Sequence, residues 1–188
     1  TAAQQRKRQV AKPYRDKAEN RYQWCIAAVP GAAWARKLFG SAPDAQERLW
    51  KAILTASRAM DDPIAAWEAH NRDLWTRCER LNSLGIRSLH YTAPNGTDLT
   101  VGMMPEGRFR GGAETSLRGI VFNPNIPSEE VFISPKRGEA EGVVCGTMPL
   151  SYQGQLIEDL RFRFEGGRVV EARAGKNEAL LQKLVAMD

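Results

Sequence analysis

The spacing of apolar and polar residues changes character near Gly85. Before it, the period is helical. "GAAWARKLFG" reads as a short helix closed by Gly40. "SAPDAQERLWKAILTASRAM" repeats apolar residues at Leu49, Trp50, Ile53 and Leu54, with Ser41 or Asp44 as the cap. "DDPIAAWEAHNRDLWTRCERLNSLG" opens with Asp62 in the capping position and Pro63 in the first turn. Its apolar face runs through Ile64, Trp67, Leu74, Trp75, Cys78 and Leu81, and Gly85 ends it. Upstream, residues 3–19 are polar and helix-compatible, with Pro13 a break or a start. "RYQWCIAAVP", Arg21 to Pro30, predicts a buried strand ending at proline.

After Gly85 the alternation is that of strands. It predicts them over Ile86–Thr92, Thr97–Met103, Gly119–Phe122, Glu130–Ile133, Glu141–Leu150 and Leu156–Ala174, followed by a helix over 176–187. "FEGGRVV" is a hairpin, because Gly166 and Gly167 supply the positive φ that a two-residue turn needs. Arg161 and Arg163 alternate with Phe162 and Phe164, so one side of that strand is wet. The pattern as a whole predicts an α+β fold, a helical N-terminal half followed by a mostly antiparallel β-sheet half with a C-terminal helix. "SRAMDDP" is the one boundary the sequence offers. It separates residues 1–60, a helical segment with one buried strand, from 61–188, a long helix plus a mixed, mostly antiparallel sheet forming part of a catalytic domain.

Composition adds limits. The 188 residues are 43% apolar and 26% charged, the balance of a globular protein with a core of its own. No stretch approaches the run of apolar residues that spans a membrane. "TAAQQRKRQV" has no apolar core behind its charges, which argues against a signal peptide, and the absent initiator Met suggests a trimmed chain. Three cysteines, Cys25, Cys78 and Cys145, form no C-x-x-C pair and predict reduced thiols and a cytoplasmic location. The net charge of +5 is uneven: residues 1–37 hold nine Lys or Arg against Asp16 and Glu19. A basic segment of that kind is either a nucleic-acid footprint or the wet face of a helix. No zinc-finger spacing or glycine-aromatic RNA-binding signature accompanies it.

Self-contained chemistry is scarce. His70 and His90 fall on a helix and a strand, outside any H-E-x-x-H or Cys/His cluster, and both read as structural. The glycines of "RFRGGAET" match neither G-x-G-x-x-G nor a P-loop, and no G-x-S-x-G elbow occurs. The five tryptophans, at 24, 34, 50, 67 and 75, all lie in the helical half, where core packing accounts for them. "NPNIPSEEVFISP" stands apart, with Glu129 and Glu130 side by side at the mouth of an apolar run and prolines at 124, 127 and 135. A solvated strand end is one explanation; a ligand-binding carboxylate is the other. If 129–133 is extended, Glu129, Val131 and Ile133 share one face and Glu130 and Phe132 the other. Such a strand is expected to be buried, and a buried carboxylate needs a cation or a donor.

Five blocks extend the picture: "WCIAAVPGAAWARKLF", "DDPIAAWEAHNRDLWTRCERLNSL", "GTDLTVGMMPEGRFRGG", "GIVFNPNIPSEEVFISP" and "MPLSYQGQLIEDLRFRFEGGRVVEARA". In this order they resemble the thermophilic-type metalloaminopeptidases, the aminopeptidase T and aminopeptidase S family, across essentially the whole chain. "NIPSEEVF" is the most specific part, with Ser128 where the family has Thr. The resemblance implies a two-metal exopeptidase that releases N-terminal residues from peptide substrates, a homodimer at full length. It places Glu130 as a metal ligand for zinc, cobalt or manganese, with Glu129 a weaker candidate that supports the site indirectly. Paired ions of this kind polarise the scissile carbonyl and activate water. The family's remaining ligands (a Glu, two His and an Asp) and its catalytic Tyr are expected beyond Asp188, so the catalytic residues are unknown within this chain. The chain then reads as a middle fragment, inactive alone. The competing expectations are a binding or assembly module that contacts nucleic acid through residues 1–37, and a structural fragment in which Glu130 is idle.

Overall fold

The computed structural model describes residues 12–187 apart from residue 18. The part of the helix-compatible stretch 3–19 that precedes residue 12, with the first basic residues, therefore lies outside the described part. The described chain is α+β in the predicted order: helices in the first half, a mainly antiparallel sheet in the second and a C-terminal helix. It divides into two compact units: the chain up to Arg80 with Arg110–Phe132, and Leu81–Phe109 with the chain from Ile133.

The first unit is helical. Residues 12–17 (α1) include Pro13. In this region Lys12 pairs with Asp16 at 2.7 Å, Arg21 pairs with Glu19 at 2.6 Å, and Lys17 stacks over Trp24. Much of the described basic segment is thus already engaged inside the chain. Helix α2 (Ala32–Phe39) ends at Gly40, whose φ of 71° lets its N–H reach the Arg36 carbonyl. Helix α3 (Ala45–Ala56) has Asp44 in the N-cap position, but that side chain makes no capping bond. Ala35, Ala45 and Leu49 form the buried seam of α2 and α3, with Phe39, Ala42 and Ile53 packed against it. "SRAMDDP" then joins α3 to α4 (Pro63–Ser83). Asp62 caps α4 as expected, its Oδ1 accepting from the Ala65 N–H at 3.1 Å. Trp67, Asn71, Leu74 and Cys78 recur at helical spacing on the buried stripe of α4.

Three expectations fail in this unit. Arg21–Pro30 is not a buried strand. Only Ile26–Ala27 (β1) pairs, in parallel with Asn125–Ile126 (β7), and Ile26 is 57% exposed. A two-residue strand with a single partner lacks the neighbours that would cover it. Ile64, placed on the apolar face of α4, is 75% exposed, because it stands in the first turn before the buried stripe begins at Trp67. Among the tryptophans only Trp67 is fully in the core; Trp34, Trp50 and Trp75 are exposed. Two antiparallel ribbons complete the unit: Arg110–Gly111 (β4) with Val131–Phe132 (β8), and Glu114–Thr115 (β5) with Val121–Phe122 (β6).

The second unit is built on a five-stranded antiparallel sheet in the order β13-β12-β9-β3-β2. Its strands are Ser88–Ala93 (β2), Thr97–Met103 (β3), Pro135–Cys145 (β9), Arg161–Glu165 (β12) and Arg168–Arg173 (β13). Gly166 and Gly167 turn β12 into β13 with φ of 56° and 73°, the hairpin read from the sequence. A smaller hairpin pairs Leu150–Tyr152 (β10) with Gln155–Ile157 (β11), and helix α5 (Glu178–Val185) closes the chain. Ile157, Leu160 and Leu181 are the buried centre, and Phe162, Ala172 and Leu184 pack around them.

Candidate metal centre at Glu130

The cleft lined by Asn125, Pro127, Ser128, Glu129 and Glu130 lies in the first unit and has a volume of about 470 Å³. Its floor is short irregular backbone between β7 and β8. Pairing with β1 stops at Ile126, since Pro127 has no N–H to donate, while the Pro124 carbonyl still accepts from the Ile26 N–H at 2.8 Å. The burial expected for Glu130 is not found. Its strand shrinks to two residues, Val131–Phe132, paired only with β4, and Phe132 is 53% exposed. A two-stranded ribbon leaves a face open, and Glu130 is exposed with it.

Glu130 is held near its place by its backbone. β4 approaches closely at Gly111, where an added Cβ would collide with the Glu130 carbonyl oxygen and press on Val131 Cγ1. The Glu130 carboxylate has no hydrogen-bond or ion-pair partner among the described residues.

Its neighbour is the opposite case. Glu129 accepts two bonds from the Arg58 guanidinium, Nη1 to Oε1 at 2.5 Å and Nη2 to Oε2 at 3.1 Å. Those bonds hold its carboxyl below the usual range, opposed next by burial, with the charge of Arg58 adding to them. Of the adjacent pair, one carboxylate is occupied and the other is free.

His70 fills the space behind this pair. Its Nε2 lies 2.6 Å from the Ser128 carbonyl oxygen and 3.6 Å from Glu129 Oε2, and its ring meets Trp67 edge-on at 5.5 Å. The Trp67 indole N–H donates to the Ser57 carbonyl at 2.8 Å, and Ser57 precedes Arg58. His90 lies elsewhere, its Nε2 at 2.7 Å from Asp98 Oδ1 on the exposed face of the sheet. Both histidines have protein partners, in line with their structural reading.

Arg58 was not legible as a site residue, because its partner lies 71 positions away along the chain. Its one local signal is position: it follows α3 where a helix ends, with a φ of 53°.

A divalent transition ion takes about four ligands in a tight cluster. No group of three or more His, Cys, Asp and Glu with that geometry exists among the described residues. Glu130, a free carboxylate at the mouth of a cleft, fits one oxygen position of such a set and cannot supply the rest.

The sequence profile of the family described as "Thermophilic metalloprotease (M29)" matches residues 1–188. Aminopeptidase T of Thermus aquaticus is 45% identical over 168 residues, which are 88% of this chain and 41% of the relative. Aminopeptidase 2 of Geobacillus stearothermophilus is 40% identical over 168 residues, 88% of this chain and 40% of the relative. The solved structure of wild-type AmpT from Thermus thermophilus superposes with a TM-score of 0.82 at 41% identity, covering 94% of this chain and 44% of that one. The chain thus spans about two-fifths of the length of the curated relatives it matches. By the match along its whole length, the chain belongs to the M29 family of thermophilic metalloproteases.

Proposed function

We propose that these 188 residues are a segment of a metal-dependent aminopeptidase that releases N-terminal amino acids from peptides, and that Glu130 is one of its metal ligands. The observation that carries the site is the contrast within the pair: Arg58 occupies Glu129, while Glu130 has no partner among the described residues and lines the cleft. The relatives named as aminopeptidases support the reaction class. A bound divalent ion supplies a Lewis acid and lowers the pKa of water at neutral pH. Glu130 contributes an anionic oxygen donor of the kind zinc, cobalt and manganese accept. Two ions per site and a homodimeric full-length enzyme rest on the family resemblance.

One carboxylate is far from a complete ligand set, so this chain by itself is inactive. The test of the site is metal content in a protein spanning the full family length around this sequence. Replacing Glu130 by Gln there is expected to lower the bound metal per chain, while Glu129→Gln retains more of it. Equal metal content in the Glu130→Gln variant and its parent would remove Glu130 from the ligand set.

A further inference from the structure

We propose that Arg58 is a positioning residue that takes Glu129 out of competition for the cation, so that Glu130 alone of the pair is presented to it. This rests on the reading of Glu130 as a ligand. The geometry behind it is a closed ring of contacts inside the first unit. Arg58 grips both oxygens of Glu129, and Glu129 lies beside His70. His70 meets the Ser128 carbonyl and packs against Trp67, whose indole returns to the carbonyl of Ser57, next to Arg58. The ring fixes the backbone on the N-terminal side of Glu130, and the close approach at Gly111 limits it on the other.

A second, independent observation concerns the backbone. Arg58 ends α3 with a φ of 53°, the left-handed region in which glycine is the usual occupant of a helix terminus. Its N–H bonds the Thr55 carbonyl and the following Ala59 N–H the Leu54 carbonyl, so a helix-terminating turn is fully formed there. An arginine at that position is disfavoured for the backbone, so its side chain accounts for its presence. The guanidinium forks onto the carboxylate with both nitrogens, which a lysine cannot reproduce. Two adjacent free carboxylates would compete for one ion and repel each other without it. Neutralising one of them leaves a single, oriented donor.

The same backbone supplies a clean variant, because Arg58→Gly removes the guanidinium where glycine is comfortable. Manganese(II) added to the 188-residue chain, isotopically labelled for NMR, broadens amide signals near any carboxylate it visits. The unmodified chain should show broadening at residues 128–131 that Glu130→Gln abolishes. Arg58→Gly should lower the backbone order parameters of residues 128–130 from about 0.85 to below about 0.6. The Arg58→Gly, Glu130→Gln double variant should regain manganese broadening through the released Glu129. Arg58→Lys, which keeps the charge but not the fork, should fall between.

A double variant as silent as Glu130→Gln, with order parameters unchanged in Arg58→Gly, overturns the positioning role and leaves the Glu130 ligand standing. Broadening that persists in Glu130→Gln alone overturns the ligand reading instead. The order parameters of Arg58→Gly then still decide whether Arg58 holds the segment.

Discussion

Glu129 and Glu130 are the same residue type one position apart, and their surroundings give them different chemistry. The guanidinium of Arg58 converts one into half of an ion pair, and the other keeps a free carboxylate at the cleft. Because Glu130 is exposed, its charge carries no burial penalty, and Glu130→Gln is expected to change the stability of this chain by less than about 0.5 kcal/mol in denaturant unfolding. A loss of several kcal/mol would mean that the carboxylate supports the fold. Arg58→Gly should be near neutral as well. It removes an exposed pair worth under about 1 kcal/mol, and it relieves a left-handed backbone costing about the same. Gly111→Ala should behave differently, since the new methyl meets backbone, not a side chain that can swing away. We expect it to cost about 1–3 kcal/mol and to displace the 130–131 segment, which chemical shifts of Glu130 and Val131 would register.

At the scale of elements, α4 shows how local signals add up. Asp62 caps it, Pro63 starts it, and Trp67, Asn71, Leu74 and Cys78 make its buried stripe. Asp62→Ala should lower stability by about 1 kcal/mol with no change in the manganese response near Glu130. The β12–β13 hairpin has its own electrostatic signature. Glu171 is approached by Arg173 and Arg163, each at 3.4 Å, and by Arg161 at 3.6 Å. The hydrogen bond from Arg173 leads in holding its carboxyl below the ordinary 4.5. A carboxyl depressed in this way contributes stability that is present above 4.5 and lost as pH falls through its lower folded value. In Glu171→Gln that contribution is absent, so its melting temperature should fall less steeply than the parent's on acidification below 4.5. Parallel curves would show that the arginine fan contributes nothing. The "GGRVV" turn and the glycine-ended helices were legible because their signals are local, whereas of the strand expected over Gly119–Phe122 only Val121–Phe122 pairs. Arg21–Pro30 was not, because composition reports apolar residues without reporting whether a second strand will cover them.

For the molecule as a whole, each unit has its own small core: Ala35, Ala45 and Leu49 in the first, Ile157, Leu160 and Leu181 in the second. Ile157 is fully enclosed, and Ile157→Ala should cost about 2–5 kcal/mol, measured by denaturant midpoint. The exposed Trp34, Trp50 and Trp75 show that helical spacing predicts an apolar stripe but not how much of it finds a partner. Because the chain spans about two-fifths of its relatives, the activity of the family is not expected from it alone. Incubated with zinc, cobalt or manganese, it should leave a leucyl amide unhydrolysed. Metal-dependent release of leucine by a homogeneous preparation would show that a complete site forms within these residues.

The sequence by itself determined the order of elements, the cap and stripe of α4, the Gly166–Gly167 hairpin and the family, because each is written in short-range spacing or in motifs such as "NIPSEEVF". It also marked Glu129 and Glu130, although the reason first attached to them, burial on a two-faced strand, does not hold. Only the tertiary structure decided which of the two is free. That choice depends on Arg58 reaching across 71 positions and on a two-residue ribbon too narrow to cover Glu130, and neither long-range pairing nor coverage is encoded in a local pattern.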